Sequence, residues 1–223
     1  MPKSKRSTVV SLTKTDKKGH EGKEKLIEQI HECVDRYEYI WVFAVKDMRN
    51  AFLKEVRNEL KSSSRFFMGR NRVMAKALGT TAEEEYKEGL SAIAKQLHSE
   101  VGLLFTDKSP QEIQQYFTNY TQPDYARSGN IANETVIIPE GPVKRGVDPM
   151  PHNMEPLVRS LGMPTSLKNG IVTLHFPYTI CRDGETLSTN QAHLLKLFYR
   201  QLAEFRVDLT CYYHQGQVVE VDA

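Results

Sequence analysis

A short run of cationic residues follows a glycine in the first third of the chain. Arg70, Arg72 and Lys76 lie close together, directly behind Gly69 and around Asn71. Glycine adopts turn geometries that other residues resist, and asparagine is common in turns and at helix starts. The backbone N–H groups at a helix start attract anions, and a guanidinium group binds phosphate through two parallel hydrogen bonds. The pattern therefore predicts a phosphate-binding surface, with an ordinary solvated turn as the alternative.

Further cations precede this run. Lys46 and Arg49 follow an apolar segment, and Lys54 and Arg57 recur on one face of a predicted helix. A charged helix face is usually just solvated. Because this helix is followed closely in sequence by residues 70–76, we expect its cations to join them in one basic surface.

The positive charge is concentrated in the first third, although the net charge of the chain is only +2. Residues 1–78 carry a formal charge of +8 and the remainder carries −6. A basic region on an otherwise acidic protein indicates a surface that faces a polyanion. Residues 1–22 form a basic arm with too few apolar residues to fold alone. We expect this arm to contact nucleic acid or to act as a nuclear-entry signal through Lys3, Lys5 and Arg6, with a tail of no specific role as the alternative.

The sequence lacks the common motifs of catalysis. It has no Gly-x-Ser-x-Gly elbow, no His-Glu-x-x-His pair and no Walker-type glycine loop. Cys33, Cys181 and Cys211 are far apart and form no CxxC pair, so we expect reduced thiols and neither a metal site nor a disulfide. No apolar run is long enough to cross a bilayer. We therefore predict no catalytic residue, no metal, no cofactor and no membrane partner.

Sequence signatures of RNA-reading modules are also absent. The aromatic motif of the RRM sheet and the GXXG loop of KH domains do not occur. A basic surface on a structured scaffold is suited instead to recognising the shape of folded RNA through its phosphates and 2′-hydroxyl groups.

The apolar pattern predicts alternating helices and strands through residue 106. A helical period puts Leu26, Ile30 and Val34 on one face, and the apolar run 39–45 is typical of a strand covered on both faces. The other predicted elements are helices over 49–61, 72–78 and 81–98 and strands over 65–68 and 101–106. This alternation predicts an α/β sandwich whose helices position the cationic residues.

The pattern changes after residue 106. Prolines, glycines and short apolar pieces predict a small, loop-rich α+β domain over residues 107–187. Regular patterning then returns in a helix that carries Leu194 and Leu195, followed by a strand and a hairpin. We therefore predict a discontinuous α/β sandwich domain, made of residues 23–106 and 188–223, with the smaller α+β domain inserted into it.

The order of these elements resembles the ribosomal stalk-base protein family. The resemblance rests on the turn at 66–74, the strand at 101–106 and two pieces of the inserted region, at 129–132 and 161–165. The family turn commonly reads glycine, lysine, asparagine, threonine, whereas this chain has Arg72 at the threonine position. The chain also ends directly after its predicted hairpin, where eukaryotic ribosomal members continue into helices that bind the acidic stalk proteins. Both departures are similar to the shorter assembly-factor branch of the family.

The resemblance implies a ribosome biogenesis factor that binds rRNA and is not an enzyme. Its partners would be the precursor large ribosomal subunit, the large-subunit rRNA at the GTPase-associated region, the neighbouring stalk-base ribosomal protein and a release factor. It would occupy the stalk base as a placeholder and later be exchanged for the ribosomal paralogue. The implied location is the nucleolus and nucleus, with shuttling to the cytoplasm left open. The expected rRNA contacts are the cations and the asparagine described above, namely Arg70, Asn71, Arg72, Lys76, Lys46, Arg49, Lys54, Arg57, Lys3, Lys5 and Arg6.

Three other functions stay open at the level of the sequence. The protein could be a permanent ribosomal stalk-base protein, an RNA-decay factor, or a protein-interaction module whose charges only keep it in solution. Sedimentation with mature or precursor particles, incubation with labelled RNA and divalent ions, and competition with polyanions would distinguish these functions.

Overall fold

The main sheet is built from strands that lie far apart in the sequence. The computed structural model describes residues 19–221. The first elements are α1 (His20–Arg36), β1 (Tyr39–Lys46), α2 (Asn50–Glu59), β2 (Ser64–Phe67), α3 (Asn71–Leu78), α4 (Leu90–Gln96), β3 (Val101–Thr106), α5 (Pro110–Asn119) and β4 (Gln122–Asp124). The next are β5 (Val136–Ile138), β6 (Gly141–Pro142), β7 (Lys144–Arg145), β8 (Asp148–Pro149), a 3-10 turn at His152–Met154, α6 (Glu155–Ser160), β9 (Thr165–Lys168), β10 (Ile171–Leu174) and β11 (Tyr178–Cys181). The last are α7 (Thr189–Leu197), β12 (Ala203–His214) and β13 (Gln217–Glu220).

The main sheet has the order β13-β12-β1-β3-β2, and β4 pairs with the start of β12. All of these pairings are antiparallel. The register pairs Lys46 with Arg206 and Phe67 with Leu103. The last residues of β1 and β2 and the first residues of β3 and β12 therefore lie at one end of the sheet.

Helices cover both faces of this sheet. α1, α3 and α4 pack on one face, around Ile40, Val42 and Phe105. α2 and α5 pack on the other face, around Trp41 and Phe43. All five of these side chains are buried, so β1 is covered on both sides as its continuous apolar pattern predicts. The predicted α/β class and the discontinuous sheet are confirmed.

A second lobe lies between β4 and β12 and has its own core. It contains three small antiparallel sheets, formed by β6-β10-β9, by β5 with β11 and by β7 with β8. Its buried residues include Val136, Val172 and Ile180 from the strands and Leu194 and Leu195 from α7. The second lobe is therefore a mixed α+β unit.

This packing differs from the inserted domain expected over residues 107–187. α5 packs on the main sheet through Ile113 and Phe117, and α7 packs in the second lobe. The first boundary between the lobes therefore follows β4, at about residue 125 and not 107, and the second follows α7, at about residue 198 and not 188. Periodicity identifies the apolar face of a helix, but it does not identify the surface that covers that face.

The helix expected over residues 81–98 is wrong in its first half. Regular helix is limited to α4, and residues 79–89 form turns. Gly89 has a φ of 84°, which suits glycine and ends any continuous helix. The Glu85 carboxylate accepts hydrogen bonds from the backbone N–H groups of Gly89 and Ser91, at 2.8 and 3.0 Å. It thus satisfies donors at the start of α4 that a continuing helix would have paired internally.

Candidate nucleic-acid interface

The predicted phosphate-binding residues lie where β2 leads into α3. Arg70 is the residue immediately before the first turn of α3, and no side chain caps that turn. Arg70, Arg72 and Lys76 are all exposed. None of the three forms an ion pair with another residue of the described range. We call these three residues the α3 cluster. Its charges are available to a ligand.

Contacts with α1 hold α3 in place at both ends. At the start, a Cβ on Gly69 would lie 2.9 Å from Leu26 Cδ2, so a larger residue would collide with α1. Gly69 does not adopt a positive φ, and its role is this close approach, not the unusual backbone angles that its type suggests. At the end of α3, the carbonyl oxygen of Ala77 lies 2.7 Å from His31 Nε2. The α3 cluster is therefore presented by a helix with a fixed position.

Asn71 has a structural role that its sequence context does not reveal. Its Nδ2 donates a hydrogen bond to the carbonyl oxygen of Ser99, at 2.7 Å. Arg70, not Asn71, occupies the cap position of α3. The Asn71 amide thus joins the start of α3 to the loop before β3, and the neighbouring cations project into solvent.

Lys46 lies at the same end of the sheet as the α3 cluster. Alternation along β1 from Val42 puts Lys46 on the face that α3 covers. Its Nζ is 3.1 Å from Asp208 Oδ2, and Arg206 Nε is 2.8 Å from Asp208 Oδ1. The side chains of Lys46 and Arg206 are 60% and 44% exposed, so two accessible cations share one carboxylate. We call the α3 cluster, Lys46 and Arg206 together the cationic rim.

Sequence reasoning did not identify Arg206. Arg206 is an exposed residue in the alternating burial pattern of β12, and this alternation of apolar and polar residues is visible in the sequence. Its place beside Lys46, however, depends on the pairing of two strands that are about 160 residues apart in the chain. Only that register brings Arg206 to the rim.

Arg49 is directed toward the second lobe and away from the α3 cluster. We call residues 47–49 the interlobe loop, because four hydrogen bonds connect it to residues 124–130. These bonds join Arg49 Nε to the Asp124 carboxylate, Arg49 Nη2 to the Tyr125 carbonyl oxygen at 3.2 Å, Arg127 Nη2 to the Met48 carbonyl oxygen at 2.8 Å, and Asn130 Nδ2 to the Asp47 carboxylate. The Arg49 guanidinium is therefore engaged within the protein.

Lys54 and Arg57 are separated from the α3 cluster by the sheet. Both lie on α2, which covers the opposite face. Lys54 is exposed, whereas Arg57 is half-buried. The single basic surface expected from the sequence is thus divided between two faces, because consecutive helices cross to opposite sides of the sheet. Lys3, Lys5 and Arg6 lie outside the described residues.

The chemistry available elsewhere in the described range is limited. Residues 19–221 contain no group of three or more His, Cys, Asp or Glu side chains arranged to hold a metal ion. All three thiols are buried, and burial raises the pKa of each of them, that of Cys211 to about 11. None of the helices in this range is both long enough and apolar enough to span a membrane.

Two known family models match consecutive parts of the chain, one in each lobe. Residues 18–122 match the model of ribosomal protein L10, and residues 126–199 match the model of the insertion domain found in the 60S ribosomal members of the same family. The second match includes α7, in agreement with the packing of α7 in the second lobe.

Several curated proteins align with the chain over most of its length. The ribosome assembly factor mrt4 of Schizosaccharomyces pombe is 48% identical, over 99% of this chain and 95% of that protein. The ribosome assembly factor MRT4 of Saccharomyces cerevisiae is 40% identical, over 96% of this chain and 94% of that protein. The large ribosomal subunit protein uL10 of Pyrococcus horikoshii is 24% identical, over 91% of this chain and 58% of that protein. The family expected from the sequence is confirmed: the chain belongs to the ribosomal protein L10 family, in the group of its Mrt4 ribosome assembly factors.

Proposed function

We propose that this protein is a ribosome assembly factor that binds precursor large-subunit rRNA through the cationic rim. The biogenesis role rests on the high identity and coverage of the Mrt4 ribosome assembly factors. The RNA-binding role rests on one observation, the exposure of Arg70, Arg72 and Lys76 around the start of α3. No carboxylate in the described range neutralises these cations. Guanidinium groups and the free N–H groups of a helix start both bind phosphate.

We further infer that the protein acts by occupying a site and not by catalysis. It holds the GTPase-associated region at the stalk base, beside the neighbouring stalk-base ribosomal protein, until a release factor allows exchange for uL10. The alignment with archaeal uL10 supports this inference because it spans 91% of this chain and so includes both lobes. Two proteins that present the same RNA-binding surface exclude each other from one rRNA site. This role is carried out in the nucleolus and nucleus.

The test is the salt dependence of binding to an rRNA fragment that contains the stalk base. Arg70→Ala with Arg72→Ala removes two phosphate contacts. We expect weaker binding and a slope of log K against log salt that is smaller by about 1.4 to 1.8, because each contact contributes roughly 0.7–0.9. Lys168→Ala with Arg182→Ala is the matched control, since it removes the same charge from exposed positions of the second lobe.

The proposal requires that the two double variants differ in their affinity for the rRNA fragment. Equal loss of affinity in both would mean that net charge alone attracts the RNA. The variant Arg70→Ala with Arg72→Ala must also unfold at the same denaturant concentration as the unmodified protein. If its salt slope then equals that of the unmodified protein, the α3 cluster does not contact phosphate and the proposal is contradicted.

A permanent ribosomal protein is the second candidate, because uL10 belongs to the same family. Sedimentation of tagged protein distinguishes the two functions. An assembly factor co-sediments with nuclear precursor particles and is absent from translating ribosomes, whereas a permanent component is present in both.

A further inference from the structure

α7 ends in a hydrogen-bond pattern that usually requires glycine. The Arg200 N–H donates to the Leu195 carbonyl oxygen at 2.9 Å, and the Tyr199 N–H donates to the Lys196 carbonyl oxygen at 3.2 Å. These two bonds define a Schellman motif, in which the residue after the helix cap adopts a left-handed conformation. That residue is Tyr199, with a φ of 58°. A bulky side chain is uncommon and strained at such an angle.

The same motif ends α6 in the ordinary way. The Met163 N–H donates to the Val158 carbonyl oxygen at 3.2 Å, and Gly162 occupies the left-handed position with a φ of 106°. The comparison within one chain shows that glycine is sufficient to end a helix of the second lobe. The tyrosine side chain of Tyr199 therefore calls for a reason beyond helix termination.

The β7–β8 hairpin contacts the Tyr199 ring and leaves the residue about half exposed. The Arg145 guanidinium lies over the ring, with Cζ 4.3 Å from the ring centroid. Arg145 Nε also donates to the Leu197 carbonyl oxygen at 2.9 Å, which fixes the guanidinium at the end of α7. A Cβ on Gly146 would lie 3.6 Å from Tyr199 Cδ2, so the β7–β8 hairpin approaches the same ring. Arg145 and Gly146 both belong to this hairpin, and Tyr199 stays 52% exposed beside them, so part of its surface is accessible to a ligand.

Further cations lie close to Tyr199 in the chain. Lys196 and Arg200 flank Tyr199 in the chain, and both are exposed. Asp148 lies opposite Arg145 in the β7–β8 pairing, and it forms no ion pair with Arg145 in the described range. The positive charge is local, because residues 79–223 carry a net charge of −6. We call Arg145, Lys196, Tyr199 and Arg200 the Tyr199 platform.

We propose that the Tyr199 platform stacks an unpaired RNA base, with Lys196 and Arg200 holding the adjacent phosphates. An aromatic face bordered by cations is the arrangement that proteins use for single-stranded nucleic acid. In this proposal the base stacks on the ring face opposite the Arg145 guanidinium. An acidic peptide would use the cations but would not require a rigid aromatic face at a strained position. The inference rests on the proposed function in that it adds a second RNA contact to the cationic rim.

The first experiment uses tryptophan fluorescence in the full chain. Trp41 is the only tryptophan and is completely buried. Tyr199→Trp adds an exposed fluorophore at the platform, and we expect a short single-stranded oligoadenylate to quench it by stacking. The unmodified protein, which reports only Trp41, is the control and is expected to show no quenching. Absence of quenching in Tyr199→Trp at saturating oligoadenylate would overturn the proposal, as would equal quenching by polyglutamate.

The second experiment separates the ring from the fold. Tyr199→Asn removes the ring, and asparagine tolerates the left-handed conformation, so we expect this variant to be as stable as the original or more stable. We expect it to bind oligoadenylate about tenfold more weakly, in the range found when one stacking side chain is removed. Tyr199→Phe keeps the ring face and is expected to bind normally.

Each result distinguishes this inference from the proposed function. Normal oligoadenylate binding by Tyr199→Asn would overturn the platform, and the ring would then serve only to support Arg145. Failure of the cationic rim appears instead in the binding of folded rRNA by Arg70→Ala with Arg72→Ala, which leaves the platform intact.

Discussion

Residues of the same type have different roles in this protein because their neighbours differ. Lys46 shares the Asp208 carboxylate with a second cation, and Arg49 is bonded to Asp124. Arg70 and Arg72 have no ion-pair partner within residues 19–221. A cation that is already paired gains less from a phosphate than one that is solvated and free, since its existing bonds must first be broken. We therefore expect the α3 cluster to contribute more to phosphate binding than the other cations of the rim.

Gly69 is the residue on which the position of this cluster depends. Gly69→Ala puts a Cβ 2.9 Å from Leu26 Cδ2. Because this atom is the end of a flexible side chain, we expect a modest destabilisation of about 1 kcal/mol, at the low end for overpacking. Equilibrium unfolding in urea measures this difference in the free energy of unfolding. In a Leu26→Ala background the collision is removed, so the same substitution is expected to cost much less. An equal cost in both backgrounds would mean that close approach to α1 is not the reason for glycine.

At the scale of elements, a side chain outside α4 accepts the hydrogen bonds that a preceding helix turn would have accepted. Glu85 accepts hydrogen bonds from the backbone of Gly89 and Ser91. Hydrogen bonds from Ser91 and from the Gly89 backbone lower the pKa of the Glu85 carboxyl from its usual value. The ionised carboxylate is thus favoured in the folded protein, and the acidic run at 83–85 has a structural role at its last residue.

This pKa shift predicts a pH dependence of stability. A carboxyl whose pKa is lowered by folding stabilises the protein above its unfolded pKa, and the contribution is lost as the pH falls through the folded pKa. Glu85→Gln should therefore be less stable than the original at pH 7, and the difference should shrink below the ordinary value of 4.5. Thermal unfolding of both proteins between pH 7 and the acidic range measures this difference in stability.

Glu83→Gln is the matched control for this prediction, since Glu83 is exposed and the charge change is the same. It is expected to leave the pH profile unchanged. Identical profiles for Glu83→Gln and Glu85→Gln would show that overall charge, and not the cap of α4, sets the response.

At the scale of the whole molecule, one short segment joins the cationic rim, the proposed RNA-binding surface, to the second lobe. β1 ends at Lys46 in the cationic rim, and the interlobe loop follows at once. The loop is bonded to residues 124–130, and β4 pairs with β12 close by. The orientation of the second lobe, and with it that of the Tyr199 platform, is therefore linked to the sheet end that carries the rim.

Arg49→Met tests this link. The side chain of Asp124 is only 13% exposed, and its carboxylate would lose the guanidinium partner. We expect a destabilisation of about 1–3 kcal/mol, the usual cost of leaving a buried polar group unpaired. Because Arg49 is engaged within the protein, we expect the salt slope of rRNA binding to stay unchanged. Equilibrium unfolding and the filter-binding series measure the two quantities.

The variant Asp124→Asn is the companion of this test. It removes the same ion pair from the other side and is expected to give a similar destabilisation without changing a cation. A reduced salt slope in Arg49→Met together with a normal slope in Asp124→Asn would mean that Arg49 contacts phosphate directly, as the sequence predicted.

Much of the fold follows from local pattern. The apolar run of β1, the amphipathic helices around it and the glycine-rich second lobe are all visible in the sequence, and so is the cationic turn before α3. The two helices that the sequence pattern assigned to the other lobe, α5 and α7, were misassigned for the same reason. α7 and α5 have clear apolar faces, but the surface that each face covers lies in a distant part of the chain.

The sequence by itself determined which residues are apolar, where charge accumulates and to which family the chain belongs, because these properties depend on residue type and order. The tertiary structure alone decided which cations lie near one another. It put α2 and α3 on opposite faces of the sheet, brought Arg206 beside Lys46 through strand pairing and directed Arg49 into the junction between the lobes. The availability of a charge depends on the groups within a few ångströms of it, and those groups are set by folding, not by proximity along the chain.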